Sequence, residues 1–345
     1  MIISDFVINE DSDAFIIAEL SANHNGSLKT AIETVKAAKE AGADCIKLQT
    51  YTPDTITLNV KNDNFLVKGT IWNGKYLYDL YMEAYTPWEW HEELFRIANE
   101  EGLVCFSSPF DRSSVDFLEN LQAPAYKIAS YEITDIPLID YVSKQGKPII
   151  ISTGIANEVD IQKALDVCRK NGVEELALLK CTSAYPAEAE DANLIMIKDY
   201  RKRFNVVSGL SDHTVGLTVP IMSVAYGAKI IEKHLILDRS IGGPDEAFSL
   251  TKNEFKLMVD HVREAEKAIG RVDYSLDKGK IKGREHSRSI WIVDDVKMGD
   301  TITEENIRVV RPNVGLAPEH YFDVIGKKFT TDLPKGEPLK KSHFK

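Results

Sequence analysis

The sequence predicts an α/β protein, a (β/α)8 TIM barrel followed by a small β-rich domain. Short apolar runs recur along residues 1–270, and most of them are separated by amphipathic helical stretches. Eight such strand–helix units in a segment of this length match the size and count of a TIM barrel. The runs are FIIAEL at 15–20, DCIKLQT at 44–50, LVCFSSPF at 103–110, AYKIAS at 125–130, PIIISTG at 148–154, LALLKCTS at 176–183, VVSGLSDHT at 206–214 and AKIIEKHLI at 228–236.

The stretches between the runs have the spacing of amphipathic helices, as in SLKTAIETVKAAKEAG at 27–42. Several of them end in glycine, the residue that most readily adopts the left-handed conformation after a helix. A doubly wound open sheet is the structural rival, because it is built from the same alternating units. The glycines are Gly42, Gly102, Gly146, Gly172 and Gly270.

Residues 51–85 interrupt the second strand–helix unit with a long insertion rich in tyrosine and tryptophan. Long loops within compact domains are more often functional than idle. Because this one follows a strand, it should lie on the catalytic face of a barrel.

The C-terminal part of the chain differs in composition from the barrel. Residues 271–289 are polar and charged, which predicts a linker. Residues 290–345 contain short strand-like runs, Gly/Asp turns and two similar phrases, VKMGDTIT and LPKGEPLK, which together predict a small β-rich domain.

The net charge of −11 argues against a surface that binds duplex nucleic acid, which would need clustered Lys and Arg. It is compatible with an anionic substrate, since a few buried cations can set the potential of one pocket.

No apolar run reaches the roughly 18 residues of a membrane span. The acidic N-terminus lacks the order of a signal peptide, so we expect a cytoplasmic protein. The cysteines lack C-x-x-C spacing and are expected to be reduced: Cys45, Cys105, Cys168 and Cys181.

Each predicted strand is apolar at its start and polar at its C-terminal end. In a barrel these ends converge on one mouth, where such folds carry out chemistry. For a single Ser or Thr, simple capping of the strand would be the better explanation. Eight strands with the same polarity favour a common site. The polar residues are Glu19, Asn23, Lys47, Gln49, Ser107, Ser108, Lys127, Ser130, Ser152, Thr153, Thr182, Tyr185, Ser211, His213 and His234.

Lys47 and Lys127 each lie within an apolar strand, where an unpaired ammonium group is costly. Two lysines with nearby hydroxyl and amide groups could bind a phosphate together with a carboxylate, and phosphoenolpyruvate carries both. Alternatively, the lysines could form structural ion pairs with Glu19 or Glu132. A lysine Schiff base is the competing chemistry.

His213 and His234 come near the ends of consecutive strands, so their imidazoles can approach one another. Two histidines completed by water or a carboxylate make a minimal divalent-metal site, whereas a lone histidine is more often a core residue. Glu232 has the strand parity of a further ligand, but it could equally orient a lysine. Imidazole with water suits Mn²⁺, and Mg²⁺, Co²⁺ and Zn²⁺ are the alternatives.

Nine phrases occur in a fixed order along the chain: AELSANHNGS, AGADCIKLQT, SSPFD, YKIAS, ISTG, CTSAYPA, GLSDHT, EKHLILD and GGPDEAFSL. In this order they resemble the sialic acid synthase family over almost the whole chain. The C-terminal domain is similar to the antifreeze-like (SAF) domain of that family. The resemblance implies a phosphoenolpyruvate-dependent synthase of nine-carbon sugar acids, which acts on an amino-sugar aldehyde.

The insertion phrase GTIWNGKYLYDLYMEAYTPWEWH is similar to the pseudaminic acid branch of the family. That branch is expected to use 2,4-diacetamido-2,4,6-trideoxy-L-altrose. The alternatives are N-acetylneuraminate or legionaminate synthesis from N-acetylmannosamine or a diacetamido-trideoxy-mannose. More distant alternatives are a sugar-phosphate synthase of the same chemical type and a carbohydrate- or ice-binding protein that is not an enzyme.

The resemblance also implies roles for individual residues. His213 and His234 would be catalytic and hold the metal, and Glu19 would act near the reacting carbons. Arg311 would reach the sugar site of a neighbouring subunit, which implies a domain-swapped homodimer. Phosphoenolpyruvate would be bound by Lys47, Ser108, Lys127, Ser130, Ser152 and Ser211. The sugar would be bound by Gln49, Tyr185, Asp245 and Arg311.

Two phrases depart from the sialic acid pattern of the family. Ser183 stands where that branch commonly has Asn, and RPNVGLAPEH replaces a phrase of the RPGNG type. Both lie near the expected sugar site, so they bear on the choice of sugar and not on the reaction.

Overall fold

The computed structural model describes residues 1–345 as two compact units, Met1–Gly270 and Arg271–Lys345. No helix is both long and apolar enough to cross a bilayer. Each unit has its own buried apolar core.

The first unit is a closed barrel of eight parallel strands. Closure follows from the last strand, which pairs with both the first strand and the seventh. This confirms the predicted barrel and excludes an open doubly wound sheet. The strands are β1 (Phe15–Glu19), β2 (Cys45–Thr50), β3 (Val104–Pro109), β4 (Tyr126–Ile128), β5 (Ile149–Ser152), β6 (Leu176–Cys181), β7 (Val207–Asp212) and β8 (Ile230–Ile236).

A helix follows every barrel strand and packs its apolar side on the outside of the sheet. Local sequence fixes several helix ends: Asp111 accepts from two backbone amides at the start of the third helix, and Gly42 has φ +88° after the first. The helices are α1 (Leu28–Glu40), α2 (Trp88–Glu100), α3 (Arg112–Asn120), α4 (Ile136–Ser143), α5 (Glu158–Lys170), α6 (Ile195–Phe204), α7 (Thr218–Ala225) and α8 (Lys252–Ile269).

The interior of the barrel is apolar at the N-terminal ends of the strands. Ile17, Cys45, Phe106, Ala125 and Ile150 belong to this inner cluster. Side chains two apart on a strand face the same way. The next inward positions are therefore polar: Glu19, Lys47, Ser108, Lys127 and Ser152. The inward-facing side chains are thus apolar in the lower part of the barrel and polar in the layer at its mouth.

A short N-terminal hairpin, Ile2–Ile3 paired with Phe6–Val7, closes the opposite end. Ile3 and Ile8 are buried in the inner cluster, and the ring centroid of Phe6 lies 5.0 Å from that of Phe15. The polar layer is therefore reached from the C-terminal ends of the strands.

The insertion after β2 contains two short helices, Pro53–Ile56 and Leu77–Ala84, and a 3-10 turn at Asp63–Phe65. The indole Nε1 of Trp72 donates to the carbonyl of Pro244, 2.9 Å away, in the segment that follows β8. The insertion therefore lies at the C-terminal ends of the strands, as predicted.

The second unit is built around an antiparallel pair, β9 (Ser289–Ile292) and β10 (Ile307–Val310). Ile290, Ile302, Phe329 and Leu339 are among the residues of its core. The segment predicted as a linker contains a helix, α9 (Lys278–Arg284), capped by the side chain of Asp277. Other short elements are a helix at Tyr321–Val324 and 3-10 turns at Pro318–His320 and Lys341–His343.

Candidate active site

The two predicted lysines share one buried cluster with two carboxylates. Lys47 Nζ lies 2.5 Å from Glu19 Oε2 and 3.6 Å from Glu232 Oε1. Lys127 Nζ lies 3.5 Å from the same oxygen of Glu232. The alternative of structural ion pairs is confirmed for Lys47 with Glu19 and is wrong for Glu132. Lys127 pairs instead with Glu232, which points into the lumen from β8. Glu232 therefore faces the lysines, one of the two roles predicted for it.

Burial changes the protonation equilibria of this cluster. Burial raises the pKa of Glu19 to about 7, and its contact with Lys47 only partly opposes this. Burial lowers the pKa of Lys127, and Glu232 only partly compensates. The pKa of Lys47 is raised, because its two carboxylates outweigh the cost of burial. Lys127 is therefore the group in the cluster whose charge is least compensated, and an anion bound there would stabilise it.

Hydroxyl groups surround the lysines, and their environments differ. Ser108 Oγ accepts a hydrogen bond from Lys47 at 3.3 Å, and Ser211 Oγ donates to Glu232 at 3.1 Å. Ser130 Oγ accepts from the backbone amide of Gly154 at 3.1 Å. Ser152 Oγ is buried without a partner. An unsatisfied buried hydroxyl in the same polar layer as the lysines is suited to a ligand oxygen.

The two histidines lie next to one another at the mouth, His213 directly after β7 and His234 in β8. Their ring centroids lie 5.3 Å apart. His213 Nδ1 is 3.0 Å from the carbonyl oxygen of Thr182, so it donates there and leaves Nε2 free. Burial, with His213 alongside, holds the pKa of His234 well below its usual value, so this ring is in the neutral form that binds metals.

The two imidazoles could hold a divalent ion that takes its remaining ligands from oxygen. His234 Nδ1 is buried without a hydrogen-bond partner and lies 3.8 Å from Asp245 Oδ2. No three His, Cys, Asp or Glu side chains form a complete ligand set. An ion held here would therefore take two imidazoles and complete its shell with water or substrate oxygen.

The predicted sugar residues lie on two sides of the same mouth. Gln49 Nε2 donates to Glu19 Oε1 at 3.1 Å and to Ser21 Oγ at 2.9 Å. The ring of Tyr185 packs on His213, with centroids 4.4 Å apart. Asp245 is buried, and its carboxylate accepts from the amide of Ala22 at 3.4 Å. Tyr185 and Asp245 therefore lie beside the imidazoles, whereas Gln49 lies beside Glu19 of the lysine cluster.

Arg311 belongs to the second unit, directly after β10, and it is exposed. Its role at a sugar site stays a prediction.

Comparison with known proteins is decisive for the family, because the model of the NeuB family matches residues 34–274. The chain belongs to the NeuB family. The SAF domain model matches residues 287–345 of the same chain.

Relatives of this NeuB-family chain match it over almost its full length. It is 48% identical to pseudaminic acid synthase from Campylobacter jejuni, with 98% of each chain covered. It is 45% identical to pseudaminic acid synthase from Helicobacter pylori, with 94% of this chain and 96% of the relative covered. The crystal structure of N-acetylneuraminic acid synthetase from Leptospira borgpetersenii, in complex with citrate, has a TM-score of 0.74 at 27% identity and covers 82% of this chain and 94% of its own.

Sequence reasoning missed two aromatic residues at the mouth of this NeuB-family barrel. Phe248 is buried with its ring centroid 4.9 Å from His234 and 5.8 Å from His213. Trp72 lies with its ring centroid 5.7 Å from Tyr185. Both residues come from long connecting segments, where the periodicity of strands and helices cannot predict which way a side chain points. The only available signals were the phrase GGPDEAFSL and the aromatic content of the insertion.

Proposed function

We propose that this chain condenses phosphoenolpyruvate with 2,4-diacetamido-2,4,6-trideoxy-L-altrose to give pseudaminic acid and inorganic phosphate. The observation that carries the proposal is one buried mouth that holds two ammonium groups around Glu232 and, beside them, two adjacent imidazoles. The names of the relatives at 45–48% identity support the choice of sugar.

The lysine cluster would bind phosphoenolpyruvate through its phosphate and carboxylate. Lys47 and Lys127 supply the charge, and Ser108, Ser152 and Ser211 supply hydroxyl groups at the same level of the barrel. Ser130 stands at the end of β4 beside Gly154. Displacing Glu232 partly from the lysines would give the phosphate oxygens direct access to both ammonium groups.

The sugar would enter on the imidazole side, between Gln49, Tyr185 and Asp245. A divalent ion held by His213 and His234 would polarise the aldehyde carbonyl. Mn²⁺ is best suited to imidazole and water, and Mg²⁺, Co²⁺ or Zn²⁺ are the alternatives. The side chains around it would fix the aldehyde carbon against C3 of phosphoenolpyruvate.

Bond formation starts when C3 of phosphoenolpyruvate attacks the aldehyde carbon. The carbonyl oxygen takes a proton and becomes a hydroxyl group, and C2 acquires cationic character. Water then adds at C2 and gives up a proton. Glu19, whose pKa is raised by burial to about 7, can accept that proton near neutral pH. The tetrahedral carbon collapses with cleavage of the C2–O bond, which releases phosphate and leaves the keto acid.

We also propose that the active form is a domain-swapped homodimer in which Arg311 contacts the sugar bound by a neighbouring subunit. The exposure of Arg311 leaves its guanidinium free for such a contact.

All four cysteines are free and buried, which fits a reducing compartment such as the cytoplasm.

The proposal is tested by phosphate release from phosphoenolpyruvate with a panel of amino sugars, followed by mass spectrometry of the products. The panel contains the diacetamido-trideoxy altrose, its manno isomer and N-acetylmannosamine. We expect the altrose derivative to give the highest kcat/KM. A clear preference for either other sugar would replace pseudaminic acid by the corresponding product, and no phosphate with any sugar would refute the synthase.

A Schiff-base aldolase is the second candidate, favoured by the lowered pKa of Lys127. It would form an imine with pyruvate, which borohydride would trap on the chain. The synthase proposal expects no increase in the mass of the chain after this treatment. A stoichiometric adduct on Lys47 or Lys127 would favour the aldolase.

A further inference from the structure

Trp72 lies beside Tyr185 on the imidazole side of the mouth, although it comes from the insertion and not from a barrel strand. Its ring centroid lies 5.7 Å from that of Tyr185, which in turn lies 4.4 Å from that of His213. Its Nε1 donates to the carbonyl oxygen of Pro244, next to Asp245. The indole is therefore held at a defined place near the paired imidazoles.

A cavity of about 720 Å³ adjoins this indole. Its lining combines the insertion, the turn after β1 and the segment after β8. The side chains that matter are Asn25, Ile71, Trp72, Met82, Pro244 and Glu246. A volume of this size is within the range of small-molecule sites.

The insertion contributes both apolar and charged side chains to the lining of the cavity. Ile71 and Met82 line the cavity and are both about half exposed, at 49% and 48%. Apolar side chains left exposed at a concave surface mark a place where a ligand can cover them. Methyl groups of a ligand would fit this wall.

The charges around the cavity disfavour an anionic ligand. Lys75 forms an ion pair with Glu83, and Glu246 adds a second carboxylate. The cavity lining therefore has no unpaired cation for a phosphate group, and the desolvation of the phosphate would not be compensated. The cavity therefore fits an uncharged sugar better than a sugar phosphate. Its apolar side chains also fit a methyl group better than a terminal hydroxymethyl group.

We propose that Trp72 is a specificity-determining residue for the acceptor sugar. Its indole, with Ile71 and Met82, receives the end of the open-chain sugar that carries the deoxy carbon and the 4-acetamido group. This inference rests on the proposed synthase activity but concerns only the choice of acceptor. Trp72 lies on the imidazole side of the mouth, away from the lysine cluster, so it leaves the binding of phosphoenolpyruvate unchanged.

The test compares Trp72→Ala and Trp72→Phe with the wild-type protein. The acceptors are 2,4-diacetamido-2,4,6-trideoxy-L-altrose and its analogue with a hydroxyl group on C6. For Trp72→Ala, we expect kcat/KM for the trideoxy sugar to fall roughly 10- to 100-fold, as expected for the loss of an apolar pocket wall. The preference for that sugar over its 6-hydroxy analogue should shrink, KM for phosphoenolpyruvate should stay within about twofold, and Trp72→Phe should retain most of the preference.

Leu58→Ala is the matched control, because Leu58 is an exposed apolar residue of the same insertion that does not line the cavity. It should leave both the rate and the sugar preference unchanged. An equal loss of kcat/KM on both sugars, or a rise in KM confined to phosphoenolpyruvate, would overturn the role of Trp72. Failure of the wild-type protein to release phosphate with any acceptor would instead refute the proposed function.

A binding measurement separates recognition from turnover. The alditol obtained by reducing the trideoxy sugar has no aldehyde and cannot react, so its Kd can be measured by calorimetry. Trp72→Ala should raise this Kd about tenfold while its melting temperature stays near that of the wild-type protein. An unchanged Kd in a folded variant would contradict the proposal.

Discussion

Lys127 has less compensation for its charge than Lys47 does. The nearest carboxylate oxygen to Lys127 Nζ is Glu232 Oε1 at 3.5 Å, whereas Glu19 lies 2.5 Å from Lys47. Because burial also lowers the pKa of Lys127, this ammonium group gains most from an arriving anion.

Lys127→Met should therefore weaken the use of phosphoenolpyruvate. We expect kcat/KM for phosphoenolpyruvate to fall roughly 10- to 100-fold, with a raised KM, because a charge-assisted contact is lost. Steady-state kinetics at saturating sugar would measure it. Lys147→Met, at a partly exposed ion pair with Glu119, is the control and should change little. An unchanged KM for phosphoenolpyruvate in Lys127→Met would contradict the assignment.

A second buried ion pair lies next to the two histidines in the sequence. Lys233 Nζ lies 2.5 Å from Asp212 Oδ2, and the two residues face each other in the register of β7 and β8. Each directly precedes one of the paired histidines, and Asp212 also accepts from the amide and hydroxyl of Thr214. The pair joins the backbones that carry both imidazoles.

Lys233→Met should destabilise the fold, because it leaves Asp212 buried without its partner. We expect a loss of about 3–5 kcal/mol in the free energy of unfolding, measured with urea. Lys256→Met, which removes an exposed helical ion pair with Asp260, should cost less than about 1 kcal/mol. Equal effects of the two substitutions would show that the buried pair has no special role.

At the scale of elements, the strands were predictable because inward positions repeat every second residue. That period carries Ile17 to Glu19 and Cys45 to Lys47, so both the barrel and its polar layer follow from the sequence. The pairing of Lys127 with Glu232 was not predictable, because it joins β4 and β8 across the lumen. Helix α9 was missed because its charged, glycine-containing sequence has no apolar side.

Closure of the barrel depends on a close approach at Gly209 in β7. A Cβ atom built there would lie 2.1 Å from the carbonyl oxygen of Ile230 and 2.8 Å from Leu179 Cδ2. Only glycine fits at this contact between neighbouring strands.

Gly209→Ala should therefore disturb the pairing of β7 with β8. We expect a loss of about 1–3 kcal/mol or more, because the barrel interior cannot expand around the added methyl group. Gly283→Ala is the matched control: it lies in α9 with nothing within 4 Å of the added Cβ, and it should be neutral or slightly stabilising. A neutral Gly209→Ala in thermal unfolding would contradict this packing.

For the whole molecule, the proposed dimer makes a prediction about shared sites. If Arg311 acts on a neighbouring subunit, each active site combines one chain's barrel with the other chain's Arg311. A Lys127→Met chain and an Arg311→Ala chain would then complement each other, because one site of the mixed dimer is intact.

Co-expression of the two variants should restore activity up to about half of the wild-type value per mixed dimer, since one of its two sites is complete. Each variant alone should stay weak, and Arg311→Ala should chiefly raise KM for the sugar. Phosphate release from purified mixed dimers measures the recovery. No recovery would show that Arg311 acts within its own chain or has no role at the site.

The most direct test of the central claim is the binding of Mn²⁺ to chelator-treated protein, followed by electron paramagnetic resonance and matched with phosphate release. The paired imidazoles predict one tightly held ion per wild-type chain and recovery of activity on its return. They predict no tight binding and no turnover in the His213→Ala, His234→Ala double variant. Full phosphate release by that double variant without metal would contradict the account.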